Sequence, residues 1–133
     1  MSNKLVAVYG SLRKNGGNDG LLRGSEYVGT FKTKPEYTLV SLGGFPGIHH
    51  EGNTEVTMEV YSVDEATGTR LDRLEGYSPD RDDNTFYDRK TIETPFGDAH
   101  VYLYVPSIKN KEVVENGDWI DFLSTRATMR HSY

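Results

Sequence analysis

Val6-Ala7-Val8-Tyr9-Gly10-Ser11-Leu12-Arg13 is an apolar run that breaks abruptly into a glycine, a hydroxyl and, with Lys14, a basic pair. Leu5 to Val8 are apolar and β-prone enough for a buried strand, and Gly10 with the Gly16-Gly17 pair bounds the loop that must follow. A strand that delivers a small-residue loop to one fixed place is a way to build a site. Gly10 has no side chain to cover the backbone amides around it, and the strand behind holds the loop still. The pattern by itself is also that of many first strands in mixed sheets that bind nothing.

Around this stretch lie 133 residues, enough for one core, so the expected organisation is a single domain over 1–133. Fourteen glycines, five prolines and nine tyrosines point to many turns joined by strands. A net charge of -5 sets the chain against nucleic acid phosphates and anionic membranes as partners. The absence of cysteine removes disulfides, thiolate metal sites and cysteine nucleophiles together. Only Leu5 to Tyr9 follow the polar start without a break in apolar character, too few for a signal core or a membrane span, so an intracellular, cytoplasmic and soluble protein is expected.

Along the chain, Arg13 to Gly20 reads as a long loop with one helical turn near Leu21-Leu22. Tyr27–Lys34 and Tyr37–Leu42 read as a hairpin turning at Lys34-Pro35-Glu36, because proline fixes φ and ends a ladder. Gly43-Gly44-Phe45-Pro46-Gly47 is expected to be irregular, with Phe45 tucked inward, and His49-His50-Glu51 to form a surface turn. Glu55 to Val63 alternates, with Val56, Met58 and Val60 on one face and Thr57, Glu59 and Tyr61 on the other. Asp64 is then placed to cap a helix that starts at Glu65 and runs to Glu75, and Gly76 suits the left-handed residue beyond its end. Phe86–Thr94 and Ala99–Val105 form a hairpin around Pro95-Phe96-Gly97-Asp98. A last helix covers Trp119 to Arg126, and the polar tail from Ala127 frays. The elements make an α+β chain with short helices.

Several constellations reduce to bland readings. Asp80-x-Asp82-x-Asn84 opens like a calcium loop, but Thr85 stands where glycine is needed and Thr91 where a bidentate glutamate is needed, so it reads as a solvated acidic loop. His49, His50 and Glu51 match no zinc spacing. Ser11 lacks the G-x-S-x-G elbow and an evident histidine partner. Arg13 and Lys14 in a glycine-rich segment offer phosphate a minor option without the P-loop pattern.

Leu71-Asp72-Arg73-Leu74-Glu75-Gly76-Tyr77 is different. An acid in the last helical turn faces the negative end of the helix dipole at a cost of about 0.3–1 kcal/mol, which selection for stability alone does not favour. Leu74 and Tyr77 beside Glu75 offer a partly apolar setting, where desolvation raises a carboxyl pKa and makes it usable as a proton shuttle.

Together these stretches resemble the gamma-glutamylcyclotransferase-like family, and within it the gamma-glutamylamine cyclotransferase branch. The resemblance runs through Tyr9-Gly10-Ser11-Leu12, Asn18, Leu22, Phe45-Pro46-Gly47, Glu59-Val60-Tyr61-Ser62-Val63, Leu71 to Tyr77, Tyr87-x-Arg89, Val101-Tyr102-Leu103-Tyr104 and Gly117-Asp118-Trp119. No single motif is specific, but their order and spacing cover nearly the whole chain. The resemblance implies a small mixed β-barrel flanked by short helices. It also implies cleavage of a gamma-glutamyl amide by its own α-amine, giving 5-oxoproline and a free amine with no metal or cofactor. Glu75 would be the general acid/base, and Tyr9, Gly10, Ser11 and Leu12 would bind the glutamyl moiety through backbone amides. Asn15 and Asp19 depart from the glycine and histidine common in relatives; an Asp19 facing the cavity would favour a cationic leaving amine, and the Asp80–Asn84 insertion would do the same unless it is simply solvated, the reading a charge run favours. A non-catalytic binding module on the same barrel, and a related enzyme acting on another glutamyl metabolite, remain the alternatives. Oligomeric state is not legible.

Overall fold

The computed structural model describes residues 4–10, 12–13, 19–22, 24–43, 45–75 and 87–130, with the backbone alone for 19, 21, 74, 75 and 126–130. Its elements in chain order are β1 (Lys4–Val8), a short 3-10 turn (Asp19–Leu22), β2 (Glu26–Lys32), β3 (Tyr37–Ser41), β4 (Pro46–Thr54), β5 (Thr57–Val63), α1 (Glu65–Glu75), β6 (Tyr87–Thr94), β7 (Gly97–Tyr104), β8 (Glu112–Val113) and α2 (Trp119–Arg130). The opening run is thus the central strand of a five-stranded sheet ordered β2-β5-β1-β7-β6. It pairs antiparallel with β5, from Lys4 opposite Val63 to Val8 opposite Glu59, and parallel with β7 at Val6 and His100. A second sheet has the order β4-β3-β8.

β1 is buried on both faces, which is why it reads as a continuous apolar run rather than an alternating one. Ala7 enters a core with Leu39, Ile48, Val56, Met58, Val60, Val101 and Trp119, between the two sheets and α2. Val6 and Val8 point the other way, into a cluster with Leu12, Leu22, Val63, Leu71, Tyr87 and Tyr102. Leu71 is fully buried there and anchors α1, a contribution of about 1.5–3 kcal/mol for a side chain of this size. The mixed sheets and two short helices agree with the α+β expectation. The barrel is a loose description, because the described strands form two sheets that hydrogen bonding does not close into a ring.

Local readings held where the partner was close in sequence. Tyr87–Thr94 and Gly97–Tyr104 form the expected hairpin, from Tyr87 opposite Tyr104 to Thr94 opposite Gly97. Asp64 caps α1, accepting the Thr67 amide at 2.7 Å. By contrast, β2 and β3 do not form a hairpin. β2 pairs with β5, and the Thr33 amide bonds Val56 O at 3.0 Å, while β3 crosses to the other sheet, where Leu39 and Val40 are fully buried. Pro46 and Gly47, expected to be irregular, begin β4. Proline is tolerated as the first residue of a strand, and the Leu42 amide closes the turn on Phe45 O at 2.9 Å. Phe45 is 47% exposed rather than tucked inward. His49 and His50 lie in β4, not in a turn. α2 continues past Arg126 to Arg130, into the tail expected to fray.

Two tests follow from the caps and turns. Hydrogen bonds from the Thr67 amide and hydroxyl hold the Asp64 carboxyl below the usual carboxylate range. A depressed folded pKa gives stability that is present above the unfolded value and lost as pH falls through the folded one. Asp64→Ala is therefore expected to melt below wild type at pH 7, with the gap narrowing in melts run below about pH 4. Gly117 has φ +70, and an added Cβ would lie 1.9 Å from Glu55 O. Gly117→Ala should lower stability in urea unfolding by about 2 kcal/mol or more, combining a strained backbone with a clash against main chain.

Candidate active site

The loop after β1 leaves the sheet through a tight turn, with the Arg13 amide donating to Gly10 O at 2.9 Å. Tyr9 is buried, and its hydroxyl donates to Tyr102 O at 2.5 Å, tying the loop's start to β7. Gly10 lies against the first residue of β4. A Cβ added there would sit 2.4 Å from Pro46 Cγ, so only glycine allows this approach. Leu12 is buried in the cluster that also holds Leu22, Leu71, Tyr87 and Tyr102. Ser11 lies outside the described residues. Beside the Gly10 turn, the Tyr87 hydroxyl donates to Pro46 O at 2.9 Å, and its ring meets Tyr104 edge-on at 5.6 Å. An aromatic wall thus joins the hairpin of β6 and β7 to the start of β4.

Arg13 is not an open anion contact, which overturns the minor phosphate option for this residue. Its side chain is 9% exposed, with Nε 2.9 Å from Glu59 Oε2 and Nη1 2.9 Å from Asp118 Oδ1. Glu59 is buried, stands opposite Val8 in the β1–β5 register, and also accepts the Tyr61 hydroxyl at 2.8 Å. Asp118 caps α2, its Oδ1 accepting the Asp121 amide at 3.1 Å. Burial pushes the Asp118 carboxyl up, but the Asp121 amide and the Arg13 guanidinium outweigh it and hold the group below the usual range. Removing one partner from a buried ion pair typically costs about 3–5 kcal/mol, because a charge is left unmatched.

The helix that ends at Glu75 is clamped in a similar way. Asp72, three residues before that end, accepts the Tyr102 hydroxyl at 2.6 Å and the Arg89 guanidinium at 2.8 Å. These bonds and buried Leu71 fix the last turns of α1 over β6 and β7. Glu75 is the final residue of α1, and its side chain lies outside the description, as do Gly76, Tyr77 and the Asp80–Asn84 loop. Residues 14–18 and the Asp19 side chain are also outside it, so Asn15, Asn18 and Asp19 are not located against the loop. The structure therefore brings Tyr9, Gly10 and Leu12 together and sets α1 beside them through the contact of Leu12 and Leu71 with one cluster.

Sequence reasoning missed Arg13, Glu59, Asp118, Asp72 and Arg89 as a set. The one visible signal was Glu59, a carboxylate on a strand whose neighbours on both sides are apolar. Among the described residues, no group of three or more histidines, aspartates or glutamates is placed to hold a metal ion. His49 Nε2 lies 2.8 Å from Pro106 O and His50 Nε2 2.8 Å from Glu36, on successive residues of β4. No helix among the described residues is long and apolar enough to cross a membrane.

Comparison with known proteins bears on the same residues. A family model described as "Gamma-glutamyl cyclotransferase, AIG2-like" matches residues 6–121. A protein of Vibrio cholerae named a putative gamma-glutamylcyclotransferase is 45% identical over 115 residues, covering 86% of this chain and 94% of its own. The solution structure of the Escherichia coli protein YtfP is 37% identical, with a TM-score of 0.69 over 89% of this chain and 97% of its own. An uncharacterized Pyrococcus horikoshii protein superposes with a TM-score of 0.77 at 26% identity, over 98% of both chains.

The clamp on α1 can be tested directly. Asp72→Ala should cost about 1–2 kcal/mol in urea unfolding, a charged hydrogen-bonded pair discounted for its partial exposure, and Tyr102→Phe about 1 kcal/mol. Because both act on one carboxylate, the double variant should lose less than the sum of the two. Strict additivity would contradict the coupling.

Proposed function

The chain belongs to the AIG2-like gamma-glutamylcyclotransferase family, and on that basis we propose that it cleaves gamma-glutamyl amides of primary amines, with Glu75 as general acid/base and the Tyr9 to Leu12 loop as the glutamyl cradle. The glutamyl α-amine attacks the side-chain carbonyl carbon, a C–N bond forms the five-membered ring, and the C–N bond to the amine breaks. The α-ammonium loses two of its three protons on becoming the ring N–H: Glu75 takes the first before attack and passes it to the departing nitrogen, and the second follows to that nitrogen as the C–N bond breaks, so 5-oxoproline and a protonated amine leave with Glu75 back in its starting state. Water, metal and cofactor have no step in this sequence.

The observation that carries the reading is the junction of the two segments. The Gly10 turn presses against Pro46 with no room for a side chain, and Leu12 shares one buried cluster with Leu71, four residues before Glu75. Ring closure is intramolecular, so the enzyme's main work is to hold a productive rotamer, and oriented attack of this kind can lower a barrier by ~7–11 kcal/mol. Backbone amides of the cradle serve the substrate carboxylate or the developing oxyanion. Proton shuttling near neutrality requires of Glu75 a raised pKa, which withdrawal of a carboxyl from water supplies.

Release of 5-oxoproline from a panel of gamma-glutamyl amines tests the proposal. Wild type should turn over at least one member, Glu75→Gln should fall by about 10²–10⁴-fold in kcat, and Ser11→Ala should keep substantial activity. Binding of gamma-glutamyl amides that is equal in wild type and Glu75→Gln, with no turnover by either, would instead identify a non-catalytic binding module.

A further inference from the structure

Arg13 stands at the seam between fold and cradle, and stability alone does not account for it. Apolar residues of similar volume often stabilise as well as a buried ion pair or better. Here one guanidinium is buried between two carboxylates that lie 46 and 105 residues away in sequence. The arrangement is directional: Nε addresses Glu59 on β5, and Nη1 addresses Asp118 at the start of α2. A planar fork can meet both at once, whereas an ammonium is a point charge without that geometry.

The same residue closes the turn of the loop. Its amide holds Gly10 O at 2.9 Å, and that bond sets the plane of the peptide to which the carbonyl belongs. Gly10 also lies against Pro46, whose Cγ would be 2.4 Å from a Cβ added there. The Gly10 turn is therefore packed against the Pro46 ring and tied, through Arg13, to β5 and α2. Because the guanidinium is committed to Glu59 and Asp118, it acts on a ligand through the backbone it holds and not by direct contact.

We infer that Arg13 is the positioning residue of the cradle: locked by Glu59 and Asp118 and bonded through its amide to Gly10 O, it sets the Gly10 turn and so the affinity for the glutamyl end of the substrate. The inference rests on the proposed reaction for its ligand, but not for its geometry. Its consequence is separable from that of Glu75, since a loosened cradle weakens binding while leaving the proton shuttle in place.

Three variants test it: Arg13→Lys, Arg13→Gln and Asp118→Asn. The last keeps an oxygen to cap α2 and removes only the charge that faces Arg13, which guards against simple misfolding. Measurements are KM and kcat for a gamma-glutamyl amine that wild type turns over, melting temperature, and amide hydrogen exchange of the peptide spanning the loop. The expected result is a KM raised by about tenfold or more with kcat changed by less than about threefold, together with faster loop exchange, in Asp118→Asn and in any Arg13 variant that folds. Lysine should recover less than half of the loss seen with glutamine. A lower melting temperature with unchanged KM and unchanged loop exchange would overturn the inference and leave Arg13 a structural residue. If wild type releases no 5-oxoproline from any amide, the proposed reaction fails. The exchange of Asp118→Asn then decides the inference alone: faster loop exchange supports it and unchanged exchange overturns it.

Discussion

β1 is buried on both faces, and the rest of the molecule is arranged to meet that constraint. A strand with Ala7 facing one way and Val6 and Val8 the other needs apolar cover on two sides. The second sheet and α2 supply it on one, where Leu39, Ile48 and Trp119 are fully buried. On the other, Leu12, Leu22 and Leu71 supply it, which draws the loop after β1 and the last turns of α1 to the same place. The two segments that bear the predicted site residues meet because both cover one strand. Core and candidate site are in this sense consequences of a single packing requirement.

Charge then refines what apolar packing leaves loose. Hydrophobic cover is non-directional and does not set the pitch of a loop or the rotation of a helix. Two hydrogen-bonded carboxylate clusters provide that direction, Arg13 with Glu59 and Asp118 for the loop, and Asp72 with Tyr102 and Arg89 for α1. Each joins segments remote in sequence, and neither is open enough to be only a surface pair. Asp118 does two things at once, since the oxygen that meets Arg13 also caps α2.

Readings that depended on neighbours survived, and those that depended on distant partners did not. Pro95-Phe96 between two β-prone runs defined the β6–β7 hairpin, and Asp64 before a helical stretch defined a cap, because both interactions close within a few residues. The supposed hairpin of β2 and β3 failed for the opposite reason. Lys34-Pro35-Glu36 resembles a turn, yet β2 gains more by lying along β5, and β3 by burying Leu39 and Val40 in the other sheet. β4 was hidden by Pro46 and Gly47, residues that argue against a strand interior but are admissible at its first positions. For the candidate site, Tyr9, Gly10 and Leu12 were legible as a loop, but Arg13 read as a free cation because its carboxylates are dozens of residues away.

The sequence by itself determined the strand that opens the chain, the glycine break that follows it, the cap and extent of α1 and the order of motifs that marks the family. These rest on local propensity, short-range hydrogen bonds and residue order, all of which a linear string contains. Tertiary structure alone decided which strands pair, that Gly10 must be bare because Pro46 lies against it, and that the Arg13 guanidinium is buried between two carboxylates rather than exposed. The physical reason is that burial and ion pairing depend on what arrives from elsewhere in the chain, and the identity of a residue does not disclose its neighbours in space.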